Sequence, residues 1–550
     1  MKRLLLLLIV VLSHSSLFAE VTPARRYLVA TRGHLRAARI PLQDLDGHEV
    51  MSFRSVEGFA ALLTDEEVAV LRRSPNVRYI EPDYELRASS TASNLPNTPV
   101  IDRLAQRTPY GIELVKATKV WSVGSGQRIK VAVIDTGIDS SHPDLRDHFR
   151  GGYDFIENDL VPQDGNGHGT HVGGTIAALN NEFGVVGVAP NVDLYALRIL
   201  NDAGSGNASS LIRAIDWSIT NGMNVLNLSL GFPEPSALAE QAFQRAADAG
   251  IIAVAASGND YADLKADGLD YPAGYPTVIS VGAIGSNSVV ASFSQRGPQL
   301  KLVAPGVAVS SSVRTGTGAV ADVELRTGAL VNAKSLTGSP LGEISGDYFN
   351  AGRGRTQDFT SEAAGKIALI ERDGLSIPSD QRITFNEKTR NAKTAGAVGV
   401  LIYNNVPGSF SGTLIGQTCD ATGKNCTDNA ADLQFDWPLT LSISQEDGLA
   451  LRSNPSGAIS LNARASDYGE LQGTSMAAPH VAGVMALAWS VAPNASASQV
   501  RDVVISTAVD LGEPGLDTVY GNGLPDALAA AKRLAPEQFP APPARIRGRR

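Results

Sequence analysis

The apolar positions of this chain follow two distinct periods. Unbroken runs of strand length recur at Val131–Ile134, Gly250–Val254 and Ala397–Ile402, bounded by polar or glycine-rich turns. Such runs predict strands covered on both faces. The first run ends in Asp135, which puts a carboxylate at the C-terminal end of a parallel strand, where open α/β sheets bind ligands. Between the runs lie segments rich in small residues. One follows the turn Gly165-Asn166-Gly167 and begins His168-Gly169-Thr170-His171. Another starts at Ser475 and carries Ala482, Gly483, Ala486 and Ala488. Small side chains at helical spacing suit helices packed closely on a sheet. The alternation predicts the α/β class, a parallel sheet with helices on both faces.

Ahead of this, residues 25–88 read as a separate small α/β unit. Tyr27–Ala30 predicts a strand, Val50–Phe53 and Gly58–Leu63 a hairpin, Thr64 to Glu67 a capping box, and Val77–Ile80 a last strand. Residues 88–104, rich in Ser, Thr, Asn and Pro, read as a linker, and Pro536–Arg550 as a disordered tail.

The length of 550 residues implies three or four domains. Met1-Lys2-Arg3 followed by the apolar Leu4–Leu12 predicts a secretory signal over residues 1–19, too short to span a bilayer. No second stretch of spanning length follows, so no membrane partner is expected and the mature protein should be secreted. A net charge of −9 gives no basic patch, and nucleic acid is not an expected partner. Cys419 and Cys426 are the 2 cysteines, and in an exported protein they predict a disulfide. A monomer is expected.

The chemistry is carried by three segments in the order Asp135, His168, Ser475. Ser475 follows the turn Gly473-Thr474 at a helix N-terminus, where developing negative charge is favoured. A serine there becomes a nucleophile if an imidazole reaches it. His171 lies three residues from His168, but the Glu of a zinc-binding His-Glu-x-x-His helix is missing, so a structural role is the simpler reading.

These three motifs, with the stretches Ala178–Pro190 and Tyr271–Gly282, resemble the subtilisin-type serine proteases, the subtilases. The resemblance covers residues 105–312 and 467–535 as two parts of one catalytic domain. It implies that Ser475 attacks the peptide carbonyl, His168 takes and returns the proton, and Asp135 holds the imidazole. It implies Asn259, in Ala255–Asn259, as the side-chain donor to the oxyanion. Peptide substrates would pair as an added strand with Ser229-Leu230-Gly231 and the segment holding Gly204 and Gly206. Ala256 and Gly258 would line the pocket for the residue before the cut. Asp270 stands where relatives commonly have a small residue, which departs from broad specificity. A carboxylate at the pocket base would favour Lys or Arg; an Asp turned to solvent or bound to a cation is the equal alternative.

Residues 25–88 resemble the family's inhibitory propeptide, with the tail from Glu81 lying in the cleft like a substrate. The resemblance also implies that the family's structural Ca²⁺ site maps onto Gln106, Asp144, Asn181 and the carbonyls of Leu179, Phe183 and Val185, an ordinary loop being the alternative. About 170 residues separate Pro305-Gly306 from the nucleophile, and residues 325–465 resemble an inserted, mainly-β protease-associated domain. Two rivals share the scaffold: a ligase or cyclase using the same acyl-enzyme, and a non-catalytic binding protein.

Overall fold

The computed structural model describes residues 24–34, 50–88, 105–261, 268–374, 377–378, 381–408, 410–419, 426–454 and 457–540. The expected signal segment, the linker from 89 to 104 and the last ten residues lie outside these.

The chain divides into two units between Asp83 and Tyr84. In the first, Val50–Ser52, Gly58–Leu63, Arg25–Thr31 and Val77–Pro82 form an antiparallel sheet in that spatial order. Helix Asp65–Leu71 starts at the expected capping box, Thr64 and Glu67 each satisfying the other's backbone N–H. Val68 and Leu71 of the helix bury against Val29, Phe59, Ala61 and Leu63 of the sheet.

The second unit is built on seven parallel strands in the order Leu302–Pro305, Val278–Ile284, Ile252–Ala256, Val225–Leu228, Lys130–Asp135, Asp193–Arg198, Phe149–Asp154. The chain leaves Lys130–Asp135 for the edge strand Phe149–Asp154, and helix His168–Ala177 then leads back to Asp193–Arg198, which lies between those two strands. It then returns to Val225–Leu228 through helix Ala208–Thr220 and goes on to Ile252–Ala256 through Ala237–Asp248. Helix Ala208–Thr220 packs on Ala237–Asp248, and His168–Ala177 belongs to a separate helix layer. Helix Thr474–Val491 packs beside His168–Ala177 against the same face. The direction reverses between Lys130–Asp135 and Val225–Leu228, so the C-terminal ends of these two strands form the crevice where a site is expected.

The insertion is a closed seven-stranded barrel with the helices Phe385–Thr394, Ala430–Leu433 and Gln445–Ser453 around it. Its strands run from Gly318 to Ser466, wider than the expected 325–465, because Gly318–Leu325 pairs along its whole length with Ala458–Ser466. The barrel stands on an antiparallel ribbon, Val309–Ser312 with Tyr468–Leu471, whose second strand leads into Ser475. Cys419 and Cys426 are register partners in the backbone of a two-stranded antiparallel hairpin. The tail expected to be disordered begins with a 3₁₀ turn, Pro536–Gln538, tied down by Gln538 Nε2 donating to Val491 O at 3.0 Å.

Candidate active site

Asp135 ends its strand fully buried, and its Oδ1 lies 2.7 Å from His168 Nδ1. His168 opens its helix after Gly167, whose φ of 112° is a left-handed conformation that glycine adopts without strain. Asp164 holds this turn from inside. Its Oδ1 accepts from the N–H groups of Asn166 and Gly167 and the Thr136 hydroxyl, and its Oδ2 from the N–H and hydroxyl of Thr170. One buried carboxylate thus ties the end of the Asp135 strand to the start of the His168 helix. Burial works to lower the His168 pKa, but the charge and hydrogen bond of Asp135, with Asp164 behind, outweigh it and raise it. The buried Nε2 has no hydrogen-bond partner among the described residues. His171 instead meets Val309 O with Nε2 at 2.9 Å, and burial pushes its pKa down to about 3. It is neutral and structural.

Ser475 is buried in the first turn of its helix, at the end of the Val225–Leu228 strand. Its Oγ donates to Ser229 O at 2.9 Å and its own carbonyl accepts from Ser229 Oγ at 2.7 Å. Asn259 Oδ1 accepts from Thr474 N–H at 2.9 Å and Thr474 Oγ1 at 3.0 Å. With its oxygen so engaged, the amide turns its N–H₂ away from Thr474.

The cleft walls are visible through the segment between them. Glu85–Ala88 is the middle strand of a three-stranded antiparallel sheet, flanked by Leu230–Gly231 and Ser205–Asn207. Arg87 pairs with Gly231, Leu86 with Gly206, and Ala88 N–H donates to Gly204 O at 2.9 Å. Leu86 is fully buried. Asp270 sits between the other two walls: a Cβ added at Gly231 or at Gly258 would lie 2.8 Å from its Oδ2. Gln295 Nε2 donates to Asp270 Oδ1 at 3.2 Å, and no cation pairs with the carboxylate among the described residues. Burial, with Asp260 adding a little, raises its pKa to about 6. Ala256 is buried at the end of the strand Ile252–Ala256.

The expected metal ligands are also gathered. Asp144 accepts from Asn181 Nδ2 at 2.7 Å, Tyr468 OH at 2.8 Å and Val185 N–H at 3.2 Å. Gln106 Nε2 donates to Leu179 O at 2.7 Å, and Phe183 N–H to Asn181 Oδ1 at 3.0 Å. Burial raises the Asp144 pKa against these hydrogen bonds, the position of a carboxylate short of positive charge. Turning over the two amides would offer one carboxylate, two amide oxygens and backbone carbonyls, a set that fits a hard cation. Asp164, Tyr468 and Gln295 were not singled out by the sequence. Only Asp164, an Asp two residues before an Asn in a glycine turn, left a local signal there.

Comparisons with known proteins place the chain in a family. The model of the subtilase family matches residues 126–370 and 378–523, and that of peptidase inhibitor I9 matches residues 44–89. Subtilisin E of Bacillus subtilis (strain 168) is 41% identical over 298 residues, covering 54% of this chain and 74% of that protein. An alkaline protease of Alkalihalobacillus alcalophilus is 46% identical over 261 residues, 47% of this chain and 63% of that one. The crystal structure of the psychrophilic subtilisin-like protease Apa1 from Pseudoalteromonas sp. AS-11 matches with a TM-score of 0.60 and 32% identity, covering 80% of this chain and 100% of that one. The chain therefore belongs to the subtilase family and is a serine endopeptidase of the subtilisin type, preceded by an I9 inhibitor-type propeptide.

Proposed function

We propose that this subtilase is an exported endopeptidase, made as a self-processing zymogen, whose nucleophile is Ser475, whose general base is His168 and whose orienting carboxylate is Asp135. The observation carrying this reading is the buried Asp135–His168 pair, whose Nε2 has no hydrogen-bond partner among the described residues, with Asp135 on the strand next to the one whose end meets Ser475. In the reaction, Nε2 removes the Ser475 proton as Oγ bonds to the carbonyl carbon. The imidazolium that forms is stabilised by Asp135 and returns the proton to the leaving amine. The negative oxygen is received by the Asn259 amide and the Ser475 backbone N–H. The Glu85–Ala88 strand stands where an extended substrate would run, so the same backbone groups serve inhibition and substrate binding.

Asp270 gives the substrate preference. A buried carboxylate with no cation beside it among the described residues is well satisfied by a Lys or Arg side chain arriving with the substrate. Gln106, Asp144, Leu179, Asn181, Phe183 and Val185 would hold Ca²⁺, which supplies stability rather than chemistry. The inserted barrel fits a protease-associated domain. The test is mass spectrometry of peptide-library products: cuts following Lys or Arg, lost in Ser475→Ala, support the reading. Cuts that persist in that variant refute it.

A further inference from the structure

The stem of the inserted barrel lies against the elements that present His168. The hydroxyls of Ser311 and Ser312 donate to His171 O at 2.8 Å and Thr170 O at 2.9 Å. Thr315 gives its N–H and its hydroxyl to Asp139 Oδ2, at 2.8 and 2.7 Å. Between them, Arg314 Nη1 donates to Gly165 O at 2.8 Å, three residues before His168. The same side chain passes Gly167, where an added Cβ would lie 3.9 Å from Arg314 Cγ and Cδ.

The turn Gly165-Asn166-Gly167 is a mechanical weak point. Two glycines leave its backbone loosely determined, and a side chain at 165 would run into the Asp202 carboxylate. The position can therefore be held only through its backbone. Asp164 takes the N–H groups of Asn166 and Gly167 from inside, and Arg314 takes the Gly165 carbonyl from the stem. Arg314 is half-buried and forms no ion pair among the described residues. Its guanidinium serves a backbone carbonyl rather than an acidic partner.

We propose that Arg314 is a positioning residue for the catalytic base: it fixes the turn that aims His168 at Ser475, so the root of the inserted domain contributes to catalysis. This rests on the assignment of His168 and Ser475 above. A misplacement of about 1 Å at a reacting group can cost up to about 10²-fold in rate. With the Asp164 hydrogen bonds and that from Asn166 Nδ2 to Asp202 O left in place, loss of the Arg314 anchor should cost roughly tenfold.

The test uses enzyme matured from the full chain, with active sites counted by a serine-directed phosphonate. In Arg314→Ala, kcat per titrated site should fall roughly tenfold, with KM within twofold and the melting temperature nearly unchanged. Arg314→Lys, which can still donate to Gly165 O, should recover most of the loss. The low-field proton signal of the Asp135–His168 hydrogen bond should move in the alanine variant and return in the lysine variant. If the alanine variant does not fold, Arg314→Met keeps the stem packing without the donor and carries the same expectation. A kcat per site within twofold of wild type, or a lysine variant no better than alanine, overturns the role of Arg314. Failure of wild-type enzyme to be titrated at Ser475 overturns the assignment beneath it.

Discussion

Replacing Asp270 by Asn tests the chemistry of the pocket most sharply. Asn keeps the volume and the acceptor for Gln295 Nε2, and removes only the charge. A hydrogen bond to a charged partner is worth about 1.5–3 kcal/mol, or roughly 10- to 150-fold in rate. The ratio of kcat/KM for Arg over Leu before the cut should fall by that factor at pH 8. The same ratio should titrate in the wild type, since kcat/KM reports groups of the free enzyme and the ratio cancels the protonation of His168. With a pKa of about 6, Asp270 is ionised at pH 8 and only about one-tenth ionised at pH 5. Selectivity should therefore drop about tenfold between them.

Stability should move the opposite way. The carboxylate's folded pKa is raised from 3.8 to about 6, so the folded state holds the extra proton between these values. Stability then falls as pH rises through that window, by up to about 3 kcal/mol, and stays lower above it. Asp270→Asn should accordingly be more stable than wild type at pH 8 and equal to it near pH 4. The assay is a matched pair of fluorogenic peptides over pH 5–8, with urea unfolding in parallel. An Arg-to-Leu ratio that is flat with pH, or unchanged within twofold in the variant, would refute the reasoning.

Three further outcomes follow from the geometry. Asn259→Ala should lower kcat by about 10²–10³ with little change in KM, a magnitude carried over from the same donor in subtilisin rather than worked out for this chain. Gly184 has φ 68°, and a side chain there would run into the Tyr468 hydroxyl and the Asp144 carboxylate. Gly184→Ala should therefore cost at least 1–2 kcal/mol and abolish the rise in melting temperature that added Ca²⁺ gives wild type; an unchanged calcium response would count against the site. Leu86→Asp places a charge where a fully buried leucine packs, and should weaken inhibition by the propeptide at least tenfold, read from inhibition kinetics with the two propeptides added in trans.

The legible parts were those with a local signal. Val131–Ile134 ends in Asp135 as a buried strand because no polar residue interrupts it, and Thr64 with Glu67 makes a capping box within one turn. The Gly-rich turn before His168 and the small-residue helix from Ser475 were equally plain. What escaped the sequence depends on contacts distant along the chain. Arg314 reaches Gly165 across 149 residues, and Tyr468 reaches Asp144 across 324. Gly318–Leu325 was missed as the barrel's first strand because most of it is only partly covered, so polar residues interleave with apolar ones. Asp270 was legible as a position, but not as a buried carboxylate between Gly231 and Gly258 held by Gln295. That depends on how two glycine-bearing walls approach one another.

The central claim, that Ser475 is activated by the Asp135–His168 pair, is tested most directly by trapping the covalent enzyme. Incubation with a phosphonate inhibitor followed by peptide mapping should place one adduct per chain on Ser475, formed in step with loss of hydrolysis. Labelling should slow at least 10³-fold in His168→Ala. An adduct on another residue, or undiminished labelling without the histidine, would contradict the account.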